Sequence, residues 1–221
     1  MSHTVPIYLA GEWVETADEL DVVNPYDGSV VGTTYLAGQP QLETAIQAAV
    51  DVFPTFGRLP VFERVELLKA LAAKLRENRQ LVIETIVREA GKVIGEATTE
   101  VDRGVFTIET AAEEAKRIEG DVIPLDLLPS SKGRFGVVRR FPIGPVAGIS
   151  PFNFPLNLAL HKVAPAIAAG NPIVLKPPSL APLTMLLIAR LVDEIGLPKG
   201  ALSVLPMNRE VGNAMVGDPR F

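Results

Sequence analysis

The chain has 221 residues, of which 48% are apolar, and a formal net charge of -5. This length and composition suffice for a buried core, and an acidic balance without basic clusters argues against nucleic acid or an anionic membrane as a partner. No apolar run reaches the roughly 18 residues of a membrane span and the N-terminus lacks a signal-peptide pattern, so we expect a cytoplasmic globular protein.

The first two thirds of the chain change their periodicity twice. Residues 7 to 35 alternate short apolar runs with turn residues, which predicts hairpin-like strands. Over residues 41 to 120 the apolar period becomes 3.6, which predicts consecutive amphipathic helices separated by Pro60 and Gly91. Residues 121 to 142 return to β character around a Ser-Ser-Lys-Gly turn and predict a hairpin arm.

After Gly144 apolar strands alternate with helices. The predicted strands are PVAGIS, NPIVLK and ALSVLP, and the predicted helices between them are LNLALHKVAPAIAAG and APLTMLLIARLVDEIG. This alternation predicts βαβ units and a parallel sheet that is covered on both faces. The predicted fold class is therefore α/β.

Two polar side chains stand at the ends of these predicted strands, where parallel sheets bind ligands. Asn153 follows the first strand between two aromatic residues and two prolines, which restrict its loop and fix the direction of its amide. A fixed amide suits an oxyanion, although an asparagine here could also cap the next helix or close a turn. Lys176 ends an apolar strand, so its amine either reaches solvent or meets an anion or a hydroxyl-bearing ligand.

The residue inventory excludes several reaction types. The chain has no cysteine and only two histidines, His3 and His161. Disulfides, thiolate metal sites and a thiol nucleophile within these residues are thereby excluded. Two histidines, one of them near the N-terminus, are also too few for a histidine metal cluster and leave few candidates for the base of a Ser-His-Asp triad. No metal site is predicted. Neither of the common glycine-rich nucleotide motifs is present.

The stretch PIGPVAGISPFNFPLNLALHKVAPAIAAGNPIVLKPPSLAPLT closely resembles the segment of the aldehyde dehydrogenase superfamily that carries its asparagine and its cofactor lysine. The segments YLAGEWVE, VVNPYDGSVVG, EAGKVIGEA and EIGLPKGALSVLP resemble the same family in the same order. This resemblance covers essentially the whole chain. It implies a Rossmann-type parallel sheet with flanking helices and a β-hairpin arm, forming an incomplete domain.

The resemblance also implies roles for individual residues. Asn153 would donate its amide to the aldehyde oxygen as a thiohemiacetal forms. Lys176 would hydrogen-bond the adenosine ribose, and Gly212 would leave room beside the adenine. The other implied cofactor-binding residues are Ile149, Ser150, Pro151, Phe152, Pro177 and Ser179. The implied cofactor is NAD or NADP.

Ser179 bears on the choice between these two cofactors. It corresponds to a position near the ribose 2′ group, where many NAD-preferring family members carry glutamate. A neutral serine beside Lys176 predicts that NADP is tolerated. The alternative is that Ser179 only starts the turn into the next helix. A second position, Glu89, matches one where some family members bind a structural cation.

The implied organisation is a partial NAD(P)-binding domain over residues 1–120 and 143–221, with residues 121–142 as an oligomerisation hairpin in a homodimer or homotetramer. The family's cysteine nucleophile, base glutamate and catalytic domain have no counterpart here, so we expect this chain alone to be inactive. It would be a fragment, the product of a truncated gene, or a natural half that works with a second chain.

The expected function is that of the N-terminal part of an NAD(P)-dependent aldehyde dehydrogenase, which oxidises a small aldehyde to a carboxylic acid through a cysteine thiohemiacetal. Two alternatives stay open. One is a noncatalytic nucleotide-binding or structural relative. The other is an acylating aldehyde dehydrogenase, which passes its acyl group to another acceptor.

Overall fold

The computed structural model describes residues 4–221, so His3 lies outside the described residues. The strands are β1 (Ile7–Leu9), β2 (Glu12–Val14), β3 (Glu19–Val23), β4 (Val30–Tyr35), β5 (Asp121–Pro124), β6 (Phe135–Val138), β7 (Val146–Ile149), β8 (Ile173–Lys176) and β9 (Leu202–Val204). The helices are α1 (Gln39–Phe56), α2 (Val61–Glu77), α3 (Arg79–Ala90), α4 (Ile94–Ala115), α5 (Asn157–Ala169), α6 (Leu183–Glu194) and α7 (Arg209–Val216).

The main sheet has the strand order β2-β1-β9-β8-β7. Strands β7, β8 and β9 are parallel and are joined by α5 and α6, which confirms the predicted α/β class and βαβ units. Strands β1 and β2 extend the same sheet in antiparallel orientation. The sequence pattern predicts these two strands but gives no sign of where they pair. Strands β3 and β4 form a separate antiparallel pair.

Both faces of the main sheet are covered. Along β8, Ile173 and Leu175 point into a core formed with α2 to α6, whereas Val174 points into a second core formed with α1 and α7. Successive side chains of a strand face opposite sides, so an uninterrupted apolar run such as that of β8 fits only a sheet buried on both sides. Among residues 4–221, no helix combines the length and apolar composition needed to cross a bilayer.

The predicted helical region contains α1 to α4. Pro60 and Gly91, the two residues predicted to separate helices there, each have a structural role. Pro60 is the N-cap of α2. Gly91 ends α3 in the left-handed conformation with φ 63°, and a Cβ atom there would lie 2.6 Å from Cγ of Pro25. Gly91 is therefore required both by its backbone conformation and by the close approach of the β3–β4 connection.

The hairpin arm stands apart from the main sheet. Within the part of the chain that the structure describes, strands β5 and β6 pair only with each other, with Asp121 opposite Val138 and Pro124 opposite Phe135. Its exposed apolar side chains include Val122, Ile123, Leu125, Leu127, Leu128, Phe135, Val137 and Val138. A lone two-stranded hairpin is marginal in water, so this arm presents an apolar surface that a further partner could cover.

Helices α4 and α5 pack closely at Gly104. A Cβ atom on this buried glycine would lie 2.9 Å from Cδ1 of Leu160 and 3.2 Å from Cδ2 of Leu156, both of which are fully buried. Gly95, on the same helix, has open space at the corresponding position. The absence of a side chain at Gly104 thus allows the two helices to approach, whereas Gly95 plays no such part.

We predict that Gly104→Val in the full-length protein lowers the free energy of unfolding by about 1 to 3 kcal/mol, because the added methyl groups overpack the interface between α4 and α5. Gly95→Val is the matched control and should change stability by no more than about 0.5 kcal/mol. Urea or thermal unfolding measures both. Equal effects of the two substitutions would contradict the packing role of Gly104.

Candidate functional site

The carboxyl ends of β7 and β8 lie side by side. Ile149 is opposite Lys176 in the parallel register, and the Ser150 amide donates to the Lys176 carbonyl oxygen at 3.0 Å. The two loops singled out in the sequence are therefore neighbours at one edge of the sheet. This edge brings together most of the predicted site residues: Ile149, Ser150, Pro151, Phe152, Asn153, Lys176, Pro177 and Ser179.

Lys176 is half-buried and faces the following loop. Its Nζ donates to Oγ of Ser179 at 3.1 Å and lies 3.5 Å from the carbonyl oxygen of Pro177. Burial lowers the pKa of Lys176 below its ordinary value. These contacts show that the side chain of Lys176 is not simply extended into solvent. An ammonium group has three N–H donors, so Lys176 can still donate to an acceptor on a ligand.

Gly212 joins this site from α7, a helix for which the sequence analysis has no prediction. Asn208 is the N-cap of α7, and its side chain accepts from the Val211 amide at 2.9 Å. A Cβ atom at Gly212 would lie 3.3 Å from Cδ and 3.4 Å from Cε of Lys176. The missing side chain thus leaves the aliphatic part of Lys176 uncovered, and the two residues together with Ser179 form a shallow cradle.

Asn153 is exposed, and within residues 4–221 its side-chain amide makes no hydrogen bond, whereas its carbonyl oxygen is bound. It does not cap α5: the N-cap position is Leu156, and no local side chain fills the capping role. The capping alternative for Asn153 is therefore wrong, although Asn153 does lie in a turn. Its exposed amide is available as a donor.

Glu100 of α4 provides the acceptor that α5 lacks. Its buried Oε1 accepts from the amides of Leu156 at 2.9 Å and Asn157 at 3.1 Å. Its Oε2 accepts from Nζ of Lys92, which also donates to the Asn153 carbonyl oxygen at 2.8 Å. The ion pair of Lys92 and Glu100 therefore contacts both ends of the segment from Asn153 to Asn157.

Glu89 of α3 accepts hydrogen bonds from the first amides of α6, as Glu100 does for α5. Its carboxylate accepts from the Leu183 amide at 2.7 Å, from the Thr184 amide at 2.9 Å and from the Thr184 hydroxyl. Burial raises the pKa of Glu89 to about 7, against the opposing effect of these hydrogen bonds. Both of its oxygens thus accept hydrogen bonds from the start of α6. The structural cation that the resemblance suggested at this position stays a prediction.

Lys92 and Glu100 are absent from the sequence prediction of the site, although the sequence holds a signal for Glu100. It lies next to Val101 on the stripe of α4 that also contains the buried Ala97 and Gly104. A carboxylate on the apolar face of a helix needs buried donors. What the helical pattern cannot indicate is that these donors come from residues 156 and 157, more than fifty positions away.

Two open grooves flank these elements. One, of about 520 Å³, lies between α4 and α5 and contains Arg103, Thr107, Asn157 and the exposed His161. Thr107 Oγ1 donates to Asn157 Oδ1 at 3.1 Å there. The other, of about 500 Å³, lies against α3 and α6 and contains none of the predicted site residues. Of these two grooves, the first contains Asn157 at the start of α5.

The cradle contains groups that could hold the ribose of a nucleotide cofactor. Lys176 supplies N–H donors, Ser179 supplies a hydroxyl, and Gly212 leaves space for a flat group to approach. The buried Ser150 hydroxyl has no hydrogen-bond partner among the described residues, so this edge also holds unused polar capacity. Fold and site together define an α/β module in which these groups lie at the carboxyl ends of parallel strands, the edge where such sheets bind ligands.

Residues 13–221 match the sequence model of the aldehyde dehydrogenase family, and the chain belongs to this family. It is 40% identical over 200 residues to a 3-sulfolactaldehyde dehydrogenase from Priestia aryabhattai, covering 90% of this chain and 41% of that protein. The family membership predicted from the asparagine and lysine motifs is thus confirmed.

Solved structures give the same result. Aldehyde dehydrogenase 21 from Physcomitrella patens, in complex with the reaction product succinate, matches with a TM-score of 0.97 and 41% identity, covering 100% of this chain and 46% of that one. An NADP-dependent glyceraldehyde-3-phosphate dehydrogenase from Bacillus halodurans C-125, complexed with NADP, matches with a TM-score of 0.95 and 32% identity, covering 100% and 47%. The chain spans less than half the length of these relatives.

Proposed function

We propose that this chain is the N-terminal, cofactor-binding part of an NAD(P)-dependent aldehyde dehydrogenase, which oxidises an aldehyde to a carboxylic acid. The observation that carries this proposal is the free amide of Asn153, held at the same sheet edge as the cradle of Lys176, Ser179 and Gly212. A donor for an oxyanion and a binding surface for a ribose are thereby adjacent.

In this proposal Asn153 donates to the aldehyde oxygen as negative charge develops on it. Lys176 and Ser179 hold the ribose hydroxyls, and the surface from Ile149 to Phe152 lines the cofactor groove beside Pro177. The nicotinamide cofactor, when bound, supplies the hydride acceptor. The chain has no cysteine, so the thiol nucleophile of the proposed reaction comes from outside these 221 residues.

We propose that the aldehyde carries an anionic group. The similar proteins act on 3-sulfolactaldehyde or hold succinate, and both of these molecules are anions. The groove between α4 and α5 contains a cation, Arg103, and hydrogen-bonding groups on Thr107 and His161; its one carboxylate, Glu114, is paired with Arg117. Asn157, four residues after Asn153, belongs to this groove, so in this proposal one end of a short substrate lies in the groove while its aldehyde meets the amide.

The function and the role of Asn153 can be tested together. We predict that the full-length protein oxidises an aldehyde such as succinate semialdehyde with NAD or NADP, and that Asn153→Ala lowers kcat about 100- to 1000-fold with little change in cofactor affinity. Asn153→Asp preserves the shape but replaces the donor by an acceptor, and should be at least as damaging. An unchanged kcat, with chemistry rate-limiting, would contradict the oxyanion role.

Cofactor choice is expected to depend on Ser179. A serine accommodates either a 2′-hydroxyl or a 2′-phosphate, whereas a carboxylate accepts from the hydroxyl and repels the phosphate. We predict that the parent uses both cofactors and that Ser179→Glu reduces kcat/KM for NADP much more than for NAD. Thr44→Glu, at an exposed position of α1 outside both the site and the arm, is the charge control. Equal losses with the two cofactors would refute the proposal.

We also propose that residues 1–120 and 143–221 form one partial NAD(P)-binding domain, and that the hairpin of residues 121–142 assembles subunits into a homodimer or homotetramer. The support is the exposed apolar surface of the arm and its lack of pairing with the main sheet. Exposed apolar patches of this kind mark protein interfaces.

The assembly role gives a sedimentation test on the full-length protein. We predict that replacing the cross-strand partners Val122 and Val137 by glutamate, or deleting residues 124–141, lowers the oligomeric state. The matched control replaces Val23 and Val30 by glutamate, because these are also exposed, register-paired valines, on the β3–β4 hairpin. An unchanged oligomer in the arm variants, or equal dissociation in the control, would contradict this role.

A further inference from the structure

The connection between α3 and α4 reaches the loop that carries Asn153. Lys92 follows the left-handed Gly91, and its Nζ pairs with the Glu100 carboxylate; the side chains are 11% and 0% exposed. Removing two charges from water is costly, so a buried ion pair is weak evidence for stability. Its other contacts indicate what the pair does.

Lys92 holds the backbone at Asn153. Its Nζ donates to the Asn153 carbonyl oxygen at 2.8 Å and lies 3.9 Å from the centroid of the Phe154 ring, a cation–π distance. Glu100 holds the other end of the segment through the amides of Leu156 and Asn157. The segment is thus fixed through its backbone and one ring, while the Asn153 amide stays free.

We propose that Lys92 and Glu100 are positioning residues that orient the Asn153 amide toward the aldehyde oxygen. This inference rests on the proposed function. Neither residue needs to touch the substrate, since both act through the backbone of the loop. An oxyanion donor is effective only when its direction is set before charge develops, and a displacement of about 1 Å can reduce the rate about 100-fold.

The first test uses Lys92→Met in the full-length protein. Removing the ammonium group should lower kcat about 10- to 100-fold and leave KM for the aldehyde and cofactor affinity nearly unchanged, because binding does not require the exact direction of the amide. Arg79→Met is the matched control: Arg79 also joins α3 to α4, through an exposed bidentate pair with Asp102, and does not contact the loop. A kcat unchanged by Lys92→Met, or lowered equally by the control, would overturn the proposal.

A double-mutant cycle separates positioning from a general structural effect. In the Asn153→Ala background no amide remains to be oriented, so adding Lys92→Met should cause no further loss of kcat. Lys92→Arg, which retains the charge, should recover part of the loss that Lys92→Met causes in the parent. Fully additive losses in the cycle would show that Lys92 acts independently of Asn153 and would overturn the proposal.

A third measurement is independent of activity. Amide hydrogen exchange over residues 150–158 should be faster in Lys92→Met and in Glu100→Gln than in the parent, and unchanged in Arg79→Met and Asp102→Asn. If the parent protein oxidises no aldehyde, the proposed function fails, while this exchange still reports whether the pair holds the loop. Unchanged exchange in Lys92→Met would overturn the positioning role by itself.

Discussion

The first amides of α5 and α6 lie buried at the edge where the sheet ends, and each needs a hydrogen-bond acceptor. Neither helix has a side-chain cap from its own sequence. Glu100 supplies the acceptor for α5 and Glu89 for α6, and each of these buried carboxylates has three donors. A buried carboxylate is tolerable only while its donors remain in place, so helix packing and loop geometry are fixed together.

This constraint links helices α3 and α4 to the candidate site. The loop before α5 carries Asn153, and the loop before α6 carries Ser179 beside Lys176. Both loops therefore begin on a strand of the rigid sheet and end on a helix whose first turn is held by α3 or α4. Groups that act on developing charge or bind a cofactor benefit from such support, because fixed side chains need little reorganisation when the ligand arrives.

Among the surfaces of the described residues that lack a partner, two adjoin the proposed site or the proposed subunit contact. The outer edge of β7 pairs with no described strand, and the apolar side chains of the β5–β6 arm are exposed. Unpaired sheet edges and large apolar patches are normally covered. The chain spans less than half of its relatives, and we propose that the rest of the protein covers β7 and a second subunit covers the arm. The proposed site at the end of β7 would then be completed from outside this chain.

The sequence alone determined the α/β class, the run of consecutive helices over residues 41 to 120, the arm and the location of Asn153 and Lys176 at strand ends. These features follow from local periodicity, turn residues and one motif. Only the tertiary structure decided that β1 and β2 join the main sheet, that Gly212 lies against Lys176, and that Lys92 and Glu100 reach the Asn153 loop. These contacts join residues far apart in the chain, and a hydrogen bond between distant residues leaves no periodic signal in the sequence.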